Sequence, residues 1–331
     1  MLSLQSNSNK ITDIKINKTR KDKKTKNIFD FSNIRKNIFL YLLVLPGIVY
    51  FVIFKYLPMI GVIIAFQDYS FVKGFFGSKF VGLKNFEFFF TSLDCWQVTF
   101  NTIYLNILFI FTGLIFSVLI ALVLSEISGK IFKKVTQSIV ILPHFISWPL
   151  VSMFTFALFT YNVGVINQQI LKPLNIDPVN FYQTPGIWPI ILVCMKIWKG
   201  AGFGSIVYLA AIAGIDQEIY EAAKIDGASR IQCIMKITLP QLRSTAVLLT
   251  ILSIGGIFHG DLGMIYALVG DNSFLYPTTD VIDTYVYRQL RQMSNVSMSA
   301  AVGLYQSLVG FILVNLSNLL AKKVEPDSAI F

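Results

Sequence analysis

Residues 221–240 read EAAKIDGASRIQCIMKITLP, a segment with five charged residues between two long apolar stretches. Asp216 is placed to cap a short helix over 217–226, and Glu218 puts negative charge in its first turn, where the helix dipole favours it. Gly227 should end this helix, because glycine enters left-handed backbone geometry without steric cost.

A second short helix is predicted after the glycine. Ser229 and Gln232 have the spacing of a capping box, and Pro240 should end or kink the helix because it lacks an amide hydrogen. The alanines Ala222 and Ala223 leave a face that another surface can approach closely. The segment therefore predicts a bent helical elbow that lies on a membrane surface and contacts another protein.

The composition on either side is that of a membrane protein. Of 331 residues, 54% are hydrophobic and 14% are charged, whereas a soluble domain is nearer a quarter charged. A membrane-spanning helix needs about 20 predominantly apolar residues. We predict an all-α integral membrane protein with six transmembrane helices, at about 38–57, 99–124, 135–159, 187–213, 244–269 and 298–320.

The basic residues predict the orientation. With the N-terminus inside, the inner segments hold more than twice as many lysines and arginines as the outer ones, which is the usual bias. We therefore expect a multi-pass membrane protein with both termini cytoplasmic. The predicted divisions are a basic tail at 1–37, a transmembrane domain at 38–321 that contains the polar loop 215–240, and a short tail at 322–331.

The net charge of +10 is explained by this bias, and not by nucleic acid. The basic tail has few aromatic residues between its charges, so anionic lipid headgroups are the better partner. The three cysteines, Cys95, Cys194 and Cys233, fall outside, within and inside the membrane, so no disulfide or metal site is expected. The GxxxxGK[ST], HExxH and GxSxG motifs are all missing, and we expect neither a cofactor in this chain nor enzymatic activity.

Charged residues interrupt the fourth apolar stretch. Lys196 and Lys199 share a helix face next to Trp198. A charge at membrane depth faces a cavity or a partner. One interpretation is a polar lining for a substrate path, with Trp198 as a flat apolar surface for a ring of the substrate. The alternative is structural, with the lysines paired to a companion subunit or extended to the membrane interface.

The fifth stretch contains a glycine-rich break with His259 and Asp261. Broken helices at membrane depth line protein or water, so a substrate contact, a gate or a proton relay can be considered beside simple local pairing. For His144, beside two prolines, we expect a bond to a freed carbonyl. Other polar side chains in the spans suit hydrogen bonds between helices, and Gln306 is also a candidate pathway residue; they are Asn101, Asn106, Gln137, Gln306 and Asn315.

The elbow also carries a family resemblance. Glu221-Ala222-Ala223, Asp226-Gly227-Ala228 and Ile237-Thr238-Leu239-Pro240 resemble the EAA motif of permease subunits in binding-protein-dependent ABC importers. Over roughly 35–325 the chain is similar to the carbohydrate-uptake class and, within it, to the LplB-like polysaccharide and oligosaccharide permeases. The stretches that support this are FKYLPM at 54–59, AFQDY at 65–69 and LYPTTDVIDTY at 275–285.

The resemblance implies a type I ABC importer permease fold with a cytoplasmic coupling helix. Glu221 would pair with a basic group of the ATPase, Ala222 and Ala223 would make the close contact, and Gly227 would set the turn. The implied partners are a cytoplasmic ATPase dimer that carries ATP and magnesium, a second homologous permease, an extracellular sugar-binding lipoprotein and an oligosaccharide. The coupling set is Glu221, Ala222, Ala223, Asp226, Gly227, Ala228 and Pro240.

Other functions remain open on the sequence. An ion- or proton-coupled secondary sugar transporter would use Lys196, His259 or Asp261, and co-purification of an ATPase would distinguish it. A membrane transferase would need paired carboxylates or a metal set, and no convincing set is present. Residues 277–288 are predicted to form an external helix that Thr278 or Thr279 caps and that Asp280 favours in its first turn; this helix either meets the binding protein or covers the domain.

Overall fold

The computed structural model describes residues 37–324, so the predicted tails lie almost wholly outside the described residues. The chain divides into two units, Met1–Ile60 and Gly61–Phe331. Helix α1 (Ile38–Phe51) continues through a π-helical turn (Val52–Tyr56) into a 3-10 stretch (Leu57–Phe66). A small antiparallel hairpin follows, in which Gln67 pairs with Phe80 and Asp68 with Lys79.

The hairpin consists of β1 (Gln67–Asp68) and β2 (Lys79–Phe80) around the one-turn helix α2 (Gly74–Gly77). Apart from short 3-10 and π-helical pieces, the rest is α-helical. The helices are α3 (Lys84–Thr91), α4 (Leu93–Glu126), α5 (Lys130–Ile141), α6 (Trp148–Phe159), α7 (Trp188–Ala213), α8 (Gln217–Ile225), α9 (Arg230–Cys233), α10 (Leu239–Gln241), α11 (Arg243–Gly255), α12 (Leu262–Val269), α13 (Tyr276–Thr279), α14 (Ile282–Arg291) and α15 (Val296–Val324).

Four helical runs among the described residues are long and apolar enough to cross a membrane: Ile38–Phe66, Leu93–Glu126, Pro185–Ala213 and Val296–Leu319. Two bent pairs raise the number to six if each pair is one span. Lys130–Phe145 meets Trp148–Phe159 at 95°, and Arg230–Gln241 meets Arg243–Gly255 at 51°. The first bend follows Pro143 and precedes Pro149, as expected where ring constraints remove amide donors.

The predicted stretch 244–269 is two helices. α11 ends at Gly255, a turn over 256–261 follows, and α12 then packs against α6. The glycine-rich sequence explains this break. The chain changes direction between α11 and α12. The turn between them therefore places Asp261 next to Lys196 of α7.

The prediction for the external helix was wrong in its details. The segment contains two helices, α13 and α14, and Val281 precedes the second, so neither Thr278 nor Thr279 caps it. The hydroxyl of Thr278 instead donates to the carbonyl of Pro185, and that of Thr279 donates to Leu275. Asp280 lies in the break between the helices, outside the first turn in which it was expected.

Buried side chains form three apolar clusters. One surrounds Trp188, Leu192 and Met264 where α7 meets α12; a second surrounds Phe89, Tyr285 and Met298 near the start of α15. The third joins α4 to the end of α7 through Ala121, Tyr208 and Ile212. The clusters thus fix α4 against α7 over most of their lengths, and a site on these two helices is held by a packed frame.

Candidate functional site

The elbow forms through local signals. Asp216 caps α8 by accepting from the amide of Glu218, and Ser229 and Gln232 form the capping box of α9. Gly227 has φ +78°, the left-handed geometry expected of it. The amide of Gly227 donates to Lys224, and that of Ala228 donates to Ala223. These two bonds make a Schellman ending, which fixes the turn after α8.

One face of this elbow is open. Glu221, Ala222, Asp226 and Gly227 are exposed, and no side chain within residues 37–324 pairs with Glu221. Ala223 and Ala228 are half-buried, and Pro240 is exposed at the end of the segment. Large apolar side chains also point outward here, with Ile225 86% and Ile231 73% exposed. An exposed apolar face with acidic residues is suited to a protein groove.

The opposite face is anchored to the chain itself. The hydroxyl of Tyr220 on α8 lies 2.9 Å from that of Thr238, which is 3% exposed. Cys233 is buried beneath the elbow, and a cavity of about 350 Å³ separates this region from the end of α4 at Ser125–Ser128. The bond therefore braces the elbow internally, from α8 to the piece that leads into α10. The elbow also packs through Ile234 and Leu239 against the third apolar cluster, on α4 and α7, and its other side is exposed.

Inside the helical region, Lys196 and Asp261 form an ion pair. The ammonium Nζ lies 2.6 Å from Oδ2 of Asp261, and the two side chains are 37% and 28% exposed. The other oxygen of Asp261 accepts from the amide of Met264 and caps α12. Asp261 thus has a double role, in which it holds Lys196 and begins a helix. His259 is exposed, and Asp261, the other polar residue of the glycine-rich break, is paired with Lys196.

Lys199 is separated from this pair. Its ammonium donates to the backbone carbonyl of His144 at 2.6 Å and lies 5.2 Å from the ring centre of Trp148. The ring of His144 stacks on Phe203 with centres 4.1 Å apart, so the expected bond from this ring to a freed carbonyl is replaced by a stacking contact. Trp198 is exposed on α7. Lys199 is therefore bonded within this chain, to a partner that neither interpretation of the sequence named.

A cavity of about 500 Å³ lies beside Lys196, between α4, α7 and α11. This volume is in the range of roughly 300–1,000 Å³ that is typical of small-molecule sites. Its wall is mixed, with Phe109, Ile110 and Leu249 among the apolar members. The polar members are Asn106, Ser117, Lys196, Tyr208, Thr250 and Ser253.

The break before Asp261 is fixed from two sides. The amide of Asn106 donates to the carbonyls of Ile257 and His259, at 3.0 and 3.2 Å. On the other side, Asp283 of α14 accepts from the backbone amide of Gly260 at 2.5 Å. A Cβ atom at Gly260 would lie 2.5 Å from Cγ2 of Val281, so only glycine fits this approach.

Gln306 belongs to the same arrangement and is buried. Its amide donates to Oδ2 of Asp283 and to the carbonyl of Phe258, both at 2.7 Å. It therefore connects α15 to the break and is not part of the cavity wall. Burial raises the pKa of the Asp283 carboxyl above its usual range, although the bonds from Gly260 and Gln306 and the charge of His259 oppose this effect.

A second ion pair fixes the segment that contains α13 and α14. The guanidinium of Arg288 donates to both oxygens of Asp280, at 3.0 and 2.6 Å, and lies 4.3 Å from the ring centre of Tyr276. Burial alone would lower the pKa of Arg288, but the hydrogen bond and charge of Asp280 outweigh it and the pKa is raised. Asn101 donates to the carbonyl of Asp280 and so satisfies the helix break.

Asp283, Arg288 and Tyr220 were missed as functional candidates from the sequence. Each acts through a partner that is remote in sequence or across a helix break, so no local spacing indicates it. The described residues contain no group of three or more His, Cys, Asp or Glu side chains arranged to hold a metal ion.

Comparison with known proteins agrees with this arrangement. Residues 113–326 match the family model of the binding-protein-dependent transport system inner membrane component. The chain is 40% identical over 297 residues to protein LplB of Bacillus subtilis, with 89% of this chain and 92% of that protein covered. It is also 40% identical over 285 residues to the polygalacturonan/rhamnogalacturonan transport system permease protein YteP of the same organism, with 86% and 88% covered.

Solved structures show the same fold. A bacterial ABC transporter involved in the import of the acidic polysaccharide alginate has a chain that superposes with a TM-score of 0.81 and 34% identity, and 89% of this chain and 99% of that chain are covered. The same type of transporter in complex with an alginate pentasaccharide-bound periplasmic protein gives a TM-score of 0.80 at 34% identity, with 89% and 97% covered. The chain therefore belongs to the family of binding-protein-dependent transport system inner membrane components, the permease subunits of ABC transporters, and it is a transport component and not an enzyme.

Proposed function

We propose that this chain is the permease subunit of an ATP-driven importer for an oligosaccharide or a polysaccharide fragment. Membership of this family argues against the ion- or proton-coupled secondary transporter, which the sequence alone left open. The relatives support a saccharide, since two of them are named for polygalacturonan/rhamnogalacturonan and for arabinooligosaccharide transport. In this proposal six spans cross the bacterial plasma membrane, with both termini in the cytoplasm.

The exposed elbow is the observation that carries the proposal. Its free face offers Glu221, Ala222 and exposed isoleucines. Its other side is braced by the bond between Tyr220 and Thr238 and packs on α4 and α7 through Ile234 and Leu239. A force on the free face would therefore reach α10 and α11. ATP and magnesium would be bound by an ATPase dimer, whose closure would push the elbow and shift the spans.

The remaining partners follow from the same assembly. A second homologous permease would complete the pathway, and an extracellular sugar-binding lipoprotein would deliver the saccharide to the segment with α13 and α14. The cavity beside Lys196 would be this chain's part of the pathway. Trp198, His259, Lys199 and Gln306 are not among the residues that line this cavity and are weaker candidates for direct contact.

The test uses the turn at Gly227. Valine is strained at positive φ, whereas asparagine tolerates this geometry, so Gly227→Asn is a matched control for Gly227→Val. We expect the valine variant, and equally Gly227→Pro, to insert normally but to lose recovery of the ATPase in a pull-down with detergent-solubilised permease. The asparagine variant should retain it. Equal recovery by all variants would rule out docking through the elbow.

A further inference from the structure

The cavity has an uneven charge distribution. Lys196 lies on the wall, whereas its partner Asp261 does not. Among the described residues that line the cavity, Lys196 is the one with a formal charge. Resting on the proposed function, we propose that Lys196 makes this cavity a site for the carboxylate of an acidic saccharide, such as a uronate unit.

The ion pair can release Lys196 at a small cost. Asp261 keeps its bond from the amide of Met264 at the start of α12, where the helix dipole favours a negative charge. The ammonium of Lys196 has three hydrogens and also lies 5.7 Å from the ring centre of Phe109. A substrate carboxylate can therefore join or replace Asp261 without leaving either charge unsatisfied.

Three other polar residues of the wall, Asn106, Thr250 and Ser253, favour Lys196 as the group that binds the carboxylate. The hydroxyls of Thr250 and Ser253 donate to the carbonyls of Ala246 and Leu249, which leaves their oxygens as acceptors for sugar hydroxyls. The amide hydrogens of Asn106 are directed to backbone carbonyls. A carboxylate, which only accepts hydrogen bonds, thus finds its charged donor at Lys196.

The test measures protection of a cavity cysteine. Ser253→Cys is introduced together with Cys194→Ser, since Cys194 is exposed whereas Cys95 and Cys233 are buried. The complex, purified from its host through this chain and reconstituted in proteoliposomes, is labelled with a neutral maleimide. Tetragalacturonate and the neutral tetramer maltotetraose are compared as protecting ligands.

Two variants at the ion pair should act in opposite directions. Lys196→Gln should raise the half-protecting concentration of tetragalacturonate by about tenfold or more, as for the loss of one charge-assisted hydrogen bond. Asp261→Asn keeps the cap of α12 but frees Lys196, so it should lower that concentration. Lys84→Gln, which removes an exposed charge outside the cavity, should leave the half-protecting concentration of tetragalacturonate unchanged.

The proposal is overturned if maltotetraose protects as well as tetragalacturonate, if neither protects, or if Lys196→Gln has no effect. The proposed function fails separately, because it requires the ATPase to co-purify with this chain. A complex that retains its ATPase but shows equal protection by both tetramers would refute the acidic substrate and leave the permease assignment intact.

Discussion

Asp283 on α14 accepts a hydrogen bond from the backbone amide of Gly260, in the break that precedes α12, at 2.5 Å. The same carboxylate oxygen accepts from Gln306 on α15 at 2.7 Å. The residue after Gly260 is Asp261, which holds Lys196 at the cavity. The half-buried carboxylate of Asp283, together with Asn106 on the opposite side, therefore holds the turn that carries Asp261, the partner of Lys196.

The close approach at Gly260 should make it intolerant of a side chain. Gly260→Ala would bring Cβ against Val281 and within 3.1 Å of Asp283, which forces the turn to shift. We expect a loss of about 1–3 kcal/mol, the usual cost of overpacking. Gly263→Ala is the matched control, since its Cβ would meet atoms at 3.7 Å, an ordinary contact.

Thermal unfolding of the purified complex in detergent checks this pair of variants. A melting temperature for Gly260→Ala that equals that of Gly263→Ala would show that the turn adapts freely. In that case Gly260→Ala should also leave the protection of the cavity cysteine by tetragalacturonate unchanged, because the position of Lys196 would not depend on the close approach at Gly260.

The raised pKa of Asp283 predicts a pH dependence. Because burial raises the pKa in the folded state, the protonated form is favoured there, and its stability contribution is complete below the unfolded value of about 3.9 and is lost as the pH rises through the folded value. Asp283→Asn does not titrate. The wild type should therefore lose stability relative to this variant as the pH rises from about 4 to 7. Parallel melting curves over this range would contradict the assignment.

The ion pair of Arg288 and Asp280 is buried, with 15% and 4% of the side chains exposed. Arg288→Ala would leave the Asp280 carboxylate without its charged partner, which typically costs about 3–5 kcal/mol. Arg291→Ala, on the exposed end of the same helix, should cost little. Chemical unfolding of the two variants in detergent micelles measures the difference, and equal midpoints would show that the pair contributes no net stability.

The elbow could be predicted from the sequence because each of its signals acts within a few residues. Asp216 reaches the second amide of its own helix, Ser229 and Gln232 cap each other, and Gly227 needs only its own φ. These local predictions were confirmed. The apolar stretches likewise indicated helices, since hydropathy depends on neighbouring residues alone.

Contacts between remote residues could not be predicted in this way. Lys196 was expected to share its role with Lys199, but the two ammonium groups have different partners, one on α12 and one at the end of α5. The external helix was expected to begin near Thr278, but bonds from Asn101 stabilise a break at Asp280. In each case the deciding partner comes from another helix.

The bond between Tyr220 and Thr238 should affect transport more than folding. Tyr220→Phe removes a hydroxyl and leaves the buried oxygen of Thr238 without this partner, at a cost of about 0.5–1.5 kcal/mol. The elbow would still form, because its caps and its glycine turn are local. The link from α8 to the piece that leads into α10 would weaken, so we expect more ATP to be hydrolysed per saccharide imported.

A double-mutant cycle separates this link from general damage. If the two hydroxyls act as a pair, the variant with both Tyr220→Phe and Thr238→Val should hydrolyse no more ATP per saccharide imported than the worse single variant. Tyr161→Phe, at an exposed tyrosine outside the elbow, should leave the ratio of ATP hydrolysed to saccharide imported unchanged. Additive losses in the cycle would mean that Tyr220 and Thr238 act independently, and movement of the spans would then depend on the packing of Ile234 and Leu239 instead.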